Sequence, residues 1–150
     1  MNCAFYSYKG GVGRTQILVN VGLELVRRGK NVCLVDVDLE APGIHHILGV
    51  QPEIHQSLIE HLIWQDISTL MARIIEIKEL FGEQISSWLK SKEIGSLWIL
   101  PTVPDRTLLV KIPEHDILDF FEQSITHLKR ALGIDYVLLD SRTGFAKFAP

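Results

Sequence analysis

The sequence predicts an α/β fold, a doubly wound and mostly parallel sheet with flanking helices. Strand-length apolar runs alternate along the chain with stretches whose apolar residues recur at helical spacing. The strand runs are nearly continuous in Ile, Leu and Val, as strands covered on both faces require. Polar, loop-forming residues then follow most of these runs, at the edge where open α/β sheets hold their ligands.

The first strand is predicted at Asn2 to Ser7, an aromatic and apolar run stopped by a glycine cluster. From Thr15 onward Ile17, Leu18, Val21, Leu25 and Val26 recur at helical spacing, and Gly29 stands where a helix end needs a left-handed residue. Asn31 to Val37 is the second strand, completing a strand–helix–strand unit. Residues 39–52 carry two prolines and two glycines and predict a loop with one short helical turn.

Between Ile54 and Leu89 the residues Ile54, Leu58, Ile59, Leu62, Ile63, Leu70, Ile74, Ile75 and Ile77 keep a helical stripe, broken near Asp66 and Gly82, which predicts two or three helices. Residues 96–103 form a third strand ended by Pro101 and Pro104. Pro113 then opens a helix that carries Ile117, Leu118, Phe121, Ile125, Leu128 and Leu132 on one side and stops at Gly133. A fourth strand, Asp135 to Asp140, delivers Asp140 to the carboxyl edge of the sheet. Residues 1–150 read as one domain, and the halt soon after Asp140 reads as the N-terminal part of a longer protein, truncated before further strands and helices.

Composition narrows the function. A net charge of −3 and a pI near 6.0 make no electrostatic case for nucleic acid. No apolar run reaches the ~18 residues of a membrane span, and no signal-peptide pattern opens the chain. Cys3 and Cys33 lie in apolar runs without CxxC spacing, so they read as free core thiols in a reducing compartment, and the cytoplasm is the expected location. His45, His46, His55 and His61 lack metal-ligand pairing and are expected to face solvent or cap helices. Trp64, Trp88 and Trp98 are expected as core or partner-facing anchors. Lys90, Lys92 and Glu93 form a solvated mixed-charge face, and Arg27, Arg28 and Lys30 complement the first helix's dipole.

The chemistry lies at the strand ends. After the first strand comes Lys9-Gly10-Gly11-Val12-Gly13-Arg14-Thr15, where glycines let backbone N–H groups approach an anion and the helix N-terminus adds roughly half a positive charge. Polyphosphate suits this cradle, with the Thr15 hydroxyl placed for Mg²⁺. Against the pattern G-x-x-x-x-G-K-S/T the segment departs twice, with Tyr8 for the first glycine and Arg14 for the lysine, while the flanking strand and helix supply the context that motif demands. In "LVDVDLEAPG", Asp36 and Asp38 fall on the same side of an extended chain, a pairing that needs a cation or bound water. Asp140 adds a third carboxylate at the same edge. A phosphate loop with converging carboxylates is the set of parts for Mg²⁺-assisted phosphoryl transfer to water.

On "KGGVGRT", "LVDVDLEAPG" and "YVLLDSRTG" the chain resembles the deviant Walker A ATPases of the MinD/ParA group, the CobQ/CobB/MinD/ParA nucleotide-binding proteins, with Arg14 varying that group's KGGxGK-S/T. The resemblance implies ATP and Mg²⁺ as cofactors. Gly10, Gly11, Val12, Gly13, Arg14, Thr15 and Gln16 would hold the nucleotide, and Thr15, Asp36 and Asp140 would surround the metal and its waters. Asp38 would orient or deprotonate the attacking water. Lys9 would reach across a nucleotide-bridged homodimer to the partner's phosphates, with Arg14 the remaining catalytic cation.

The implied function is an ATPase switch in which ATP joins two copies and hydrolysis separates them, so as to recruit or move a protein partner. The alternative is a nucleotide sensor that hydrolyses poorly and governs a C-terminal effector or repeat domain. An ATP-using kinase or ligase shares the fold as a third reading. Arg14 is a larger, more diffuse cation than lysine, so phosphate binding is expected to survive while hydrolysis weakens. The segment after Asp140 also departs from the group, placing Arg142 either as a charge-stabilising finger or as an ion-pair partner of Asp36 or Asp38.

Overall fold

In the computed structural model, which describes residues 1–7, 13–77, 94–113 and 115–142, strand β2 (Val32–Asp36) is buried at every residue. Its run VCLVD has no polar residue before the last because helices lie against both faces. β5 (Tyr136–Arg142) pairs with one edge of β2 and β4 (Leu97–Leu100) with the other, both parallel. β1 (Asn2–Ser7) pairs in parallel with the far edge of β5, and β3 (Ile75–Glu76) runs antiparallel against β4. The described sheet has five strands in the order β1-β5-β2-β4-β3.

Helix α1 (Arg14–Arg27) carries the chain from β1 to β2, leaving a gap one strand wide that β5 fills. All three strands run the same way, so their carboxyl ends share one edge. Asp140 therefore lies between the two segments that the motifs singled out, in register with Phe5 of β1 and with Asp36 of β2.

Alternate residues of the strands feed two cores. Val32, Leu34, Leu97, Ile99 and Leu138 pack with Leu18, Val19 and Val26 of α1 and with Ile44 of the short helix α2 (Ile44–Ile47). Cys33, Val35, Trp98, Leu100 and Val137 face the other way. There they meet Leu58, Ile59 and Leu62 of α3 (Leu58–Trp64) and Phe120, Ile125 and Leu128 of α6 (Ile117–Leu132). Each fully buried Leu or Ile contributes ~1.5–3 kcal/mol relative to exposure. One close approach depends on glycine: a Cβ on Gly95 would fall 1.8 Å from the Lys30 carbonyl oxygen.

The helix boundaries follow the sequence at their C-terminal ends, where Gly29 and Gly133 take the left-handed conformation. α1 starts at Arg14, one residue ahead of expectation, and β2 is shorter than the predicted 31–37. The stretch after Ile54 differs more. It is built from 3-10 turns at Ile54–Gln56 and Ile67–Thr69, α3, and one turn of helix α4 (Leu70–Arg73).

Ile75, which helical spacing had placed in a helix, begins β3. Ile74 is already extended, and the β-branched pair that it forms with Ile75 gains an edge position beside Ile99. The sheet thus gains a fifth, antiparallel strand. The expected break at Gly82 and the stretch from there to Leu89 lie outside the described residues. A turn of helix not foreseen, α5 (Arg106–Leu109), is capped by the Asp105 carboxylate. α6 begins at Ile117 rather than at Pro113, because the left-handed Asp116 reorients the chain just before it.

Two histidine expectations are overturned. His45 is buried, and His61 is fully buried on α3 between Leu58 and Leu62. Its Nε2 lies 2.9 Å from Ser124 Oγ, and its ring lies 4.8 Å from that of Phe120. Trp98 joins the core and Trp64 is exposed, whereas Trp88, Lys90, Lys92 and Glu93 lie outside the described residues. Cys33 is buried and Cys3 half-buried, both as free thiols, and burial pushes the Cys33 thiol up to about 12.

Candidate nucleotide-binding site

At the carboxyl edge of β1 the described chain resumes at Gly13, which caps α1 in the left-handed conformation (φ 77°, ψ 17°). Only glycine adopts this without strain. Among the described residues no side chain caps α1 at this end, and no acidic residue sits in its first turn. The first amides of a 14-residue helix thus meet no carboxylate of their own, which suits an anion.

Thr15 stands in that first turn and donates from Oγ1 to Asp140 Oδ2 at 2.5 Å. The hydroxyl proton is thereby committed to Asp140, so the lone pairs of the oxygen are the part that a hard cation could use. Gln16 is exposed beside it.

Arg14 turns toward the carboxylates. Its Nε donates to Asp140 Oδ1 at 2.5 Å, one terminal nitrogen reaches Ser7 Oγ at 3.2 Å, and the other reaches Asp38 Oδ2 at 3.4 Å. The Asp140 side chain is fully buried, and those of Asp38 and Arg14 are 7% and 12% exposed. Water screens these pairs little. Ser7 was not singled out in the sequence; its position as the last residue of β1 before the loop was the available signal.

Asp36 and Asp38 differ in their surroundings. The Asp36 carboxylate accepts from the backbone N–H groups of Gly43 at 2.9 Å, Ile44 at 3.0 Å and Asp38 at 3.3 Å. Burial pushes its pKa up to about 7 and the neighbouring Asp140 charge adds to this, while the three amides pull the other way. Asp38 is held on its second oxygen by the Ala41 N–H at 3.1 Å. The turn formed by these bonds brings Gly43 against Thr15, where an added Cβ would stand 3.3 Å from Thr15 Cγ2. Thr102 closes the back by donating to the Asp36 carbonyl at 2.6 Å. The Gly43 and Ile44 amides were also missed in the sequence, with Pro42-Gly43 as the signal of a tight turn.

Thr15, Asp36, Asp38, Asp140 and Arg14 are thus brought together. Lys9, Gly10, Gly11 and Val12 lie outside the described residues, as does the side chain of Arg142. Among the described residues no three of His, Cys, Asp or Glu converge as a ready-made metal cage. A divalent ion here would rest on the Thr15 hydroxyl, on Asp140 and on oxygens brought by a phosphate ligand, which is how Mg²⁺ is usually held. The donor set therefore fits a magnesium nucleotide.

The family model for ParA, described as NUBPL iron-transfer P-loop NTPase, matches residues 2–83, more than half of the chain. The chain belongs to the ParA family of P-loop NTPases. Its match covers β1, α1 and β2 with the loop that carries Asp38, and stops short of β5 and Asp140.

Among the relatives of this ParA-family chain, the septum site-determining protein MinD of Thermotoga maritima is 27% identical over 141 residues, 94% of this chain and 44% of that protein. In three dimensions the chain is similar to the cell division ATPase MinD of Pyrococcus furiosus, with a TM-score of 0.70 at 23% identity over 99% of this chain and 52% of that one. It is also similar to MinD of Pyrococcus horikoshii complexed with Mg-ADP, with a TM-score of 0.68 at 23% identity over the same shares. These likenesses show the fold. The chain spans about half the length of the relatives that it matches.

Proposed function

We propose that this chain is the nucleotide-binding part of a Mg²⁺-dependent ATPase switch of the MinD/ParA kind. The carrying observation is the contact of Thr15 with Asp140, which joins the first turn of α1 to the strand inserted between the two acidic and glycine-rich segments. The Mg-ADP complex of the similar Pyrococcus horikoshii MinD supports a magnesium nucleotide as the ligand.

In this reading Gly10, Gly11, Val12, Gly13, Arg14, Thr15 and Gln16 hold the phosphates, and Lys9 reaches those of a second copy. Thr15 and Asp140 hold the cation, and Asp36 acts on it through water while fixing the Gly43 turn. When bound, Mg²⁺ neutralises charge on the phosphate oxygens. Asp38, anchored by the Ala41 amide and facing Arg14, orients the attacking water. The product is a dimer that recruits a protein partner in the cytoplasm and parts on hydrolysis.

A second reading, a sensor that binds nucleotide and turns it over poorly, is favoured by one observation: Arg14 neutralises the carboxylate that the switch would use to orient water. Titration with fluorescent ATP in the presence and absence of Mg²⁺, followed by phosphate release, tests both. Mg²⁺-dependent binding with turnover that Asp38→Ala abolishes supports the switch. Binding without turnover in the unmodified protein supports the sensor. Absence of binding sinks both.

A further inference from the structure

Resting on that reading of the site, we infer that Arg14 acts as an internal counter-ion. In the nucleotide-free protein it neutralises Asp140 and Asp38, and it yields that place to a divalent cation only when a phosphate draws it away. Its guanidinium reaches three separate segments at the sheet edge: Ser7 at the end of β1, Asp140 in β5 and Asp38 in the loop after β2. Three carboxylates, Asp36, Asp38 and Asp140, crowd this edge, and all three are buried. Asp36 is met by backbone amides. Asp140, without Arg14, would keep only the Thr15 hydroxyl among its described side-chain partners. A buried carboxylate so exposed to its neighbours' charge needs a cation, and among the described residues Arg14 is the one in contact with it.

The residue type shapes how the exchange occurs. A lysine could lower its charge by losing a proton, whereas a guanidinium stays charged and leaves a carboxylate only for another anion. Phosphate is such an anion, because its oxygens match the planar fork with paired N–H donors. Arg14 lies in the first turn of α1, where the uncapped amides would bring phosphate within its reach. Moving Arg14 from carboxylate to phosphate frees Asp140 and Asp38 in the same step. Metal and phosphate then bind with mutual dependence, and linkage makes that dependence equal in both directions.

The test is Mn²⁺ binding to the nucleotide-free protein, followed by electron paramagnetic resonance of the free ion, for the unmodified chain, Arg14→Gln and Arg14→Lys. The expected result is tighter Mn²⁺ binding by Arg14→Gln than by the unmodified protein, by about tenfold, within the range of coupled sites. Arg14→Lys, which can give way by losing its proton, is expected to fall between the two. A purely structural role would lower the melting temperature of Arg14→Gln but would not raise its Mn²⁺ affinity.

Equal affinity in a folded Arg14→Gln overturns the inference. Should Arg14→Gln not fold by circular dichroism, the unmodified protein still decides: Mn²⁺ must bind far more tightly with ADP present than without it, and equally tight binding without ADP overturns the inference. If ADP and ATP do not bind at all, the functional reading falls, while the comparison of Arg14→Gln with Arg14→Lys still reports on the counter-ion.

Discussion

Asp36 and Asp140 lie directly opposite one another on adjacent parallel strands, yet they serve different partners. Asp36 turns to the backbone amides of Gly43 and Ile44, and Asp140 meets Thr15 and Arg14 of α1. The insertion of β5 between β1 and β2 creates this division. It gives Asp140 the helix N-terminus and leaves Asp36 the turn that supports it.

Asp36→Ala is therefore expected to act first on stability. It would strand the buried N–H groups of Ile44 and Asp38, at ~1–3 kcal/mol each, and the partly buried one of Gly43, whereas Asp36→Asn keeps one carbonyl oxygen to accept from them. Urea unfolding should show a loss of about 2–6 kcal/mol for the alanine and a smaller one for the asparagine. Equal, negligible losses would show that the amides have another acceptor.

Thr15→Ala is expected to leave the fold close to intact and to weaken the Mg²⁺ dependence of nucleotide affinity. Losing one hydroxyl ligand and its bond to Asp140 should cost on the order of 1–3 kcal/mol of metal-linked binding. Thr15→Ser, which keeps the oxygen, should recover most of it. Calorimetric titration of ADP with and without Mg²⁺ separates the two; an alanine variant with unchanged Mg²⁺ dependence would remove Thr15 from the metal site.

Gly95→Ala tests the packing at the other end of the sheet. A methyl group 1.8 Å from the Lys30 carbonyl oxygen meets backbone, which cannot rotate aside as a side chain can. The start of β4 must then move away from the end of α1, breaking the Gly95 N–H bond to the Val26 carbonyl. Overpacking of this kind costs ~1–3 kcal/mol or more, so the midpoint of thermal unfolding should fall by several degrees.

Much of this edge could be read along the chain, and the unread remainder has a common cause. The glycine run before Arg14, the paired Asp36 and Asp38, and Asp140 at the end of an apolar run each carry a local signature that does not depend on neighbours. The partner of Arg14 does not, because it follows from strand order: only with β5 between β1 and β2 does Asp140 come beside α1. β3 was hidden for a similar reason. Ile74, Ile75 and Ile77 fit a helical stripe, and only the free edge of β4 decides for a strand. His61 did carry a signal, since it sits within the apolar stripe of Leu58 and Leu62, and a polar ring there predicts a buried bond.

His61 gives the clearest pH dependence. Ser124 donates its single hydroxyl proton to the Phe120 carbonyl at 2.8 Å, so His61 Nε2 must carry the hydrogen it shares with Ser124. Nδ1 is then a buried acceptor without a hydrogen-bond partner among the described residues. Burial, with Arg73 next in effect, pulls the His61 pKa down to about 4, against a smaller opposing pull from Asp66. Between about 4 and 6.5 the unfolded chain holds more protons at this residue than the folded one, so stability rises with pH across that window.

The His61 contribution is complete above about pH 6.5 and is lost as pH falls toward 4, by about 3 kcal/mol in all. Asp36 works in the opposite sense, because its raised pKa means that the folded state holds the extra proton and loses that advantage as pH rises through about 7. Subtracting the pH profile of His61→Gln from that of the unmodified protein, both by urea unfolding between pH 4.5 and 7.5, cancels Asp36 and isolates His61. The difference should grow in favour of the unmodified protein as pH rises. A flat difference would mean that His61 can take up its proton inside the fold without penalty.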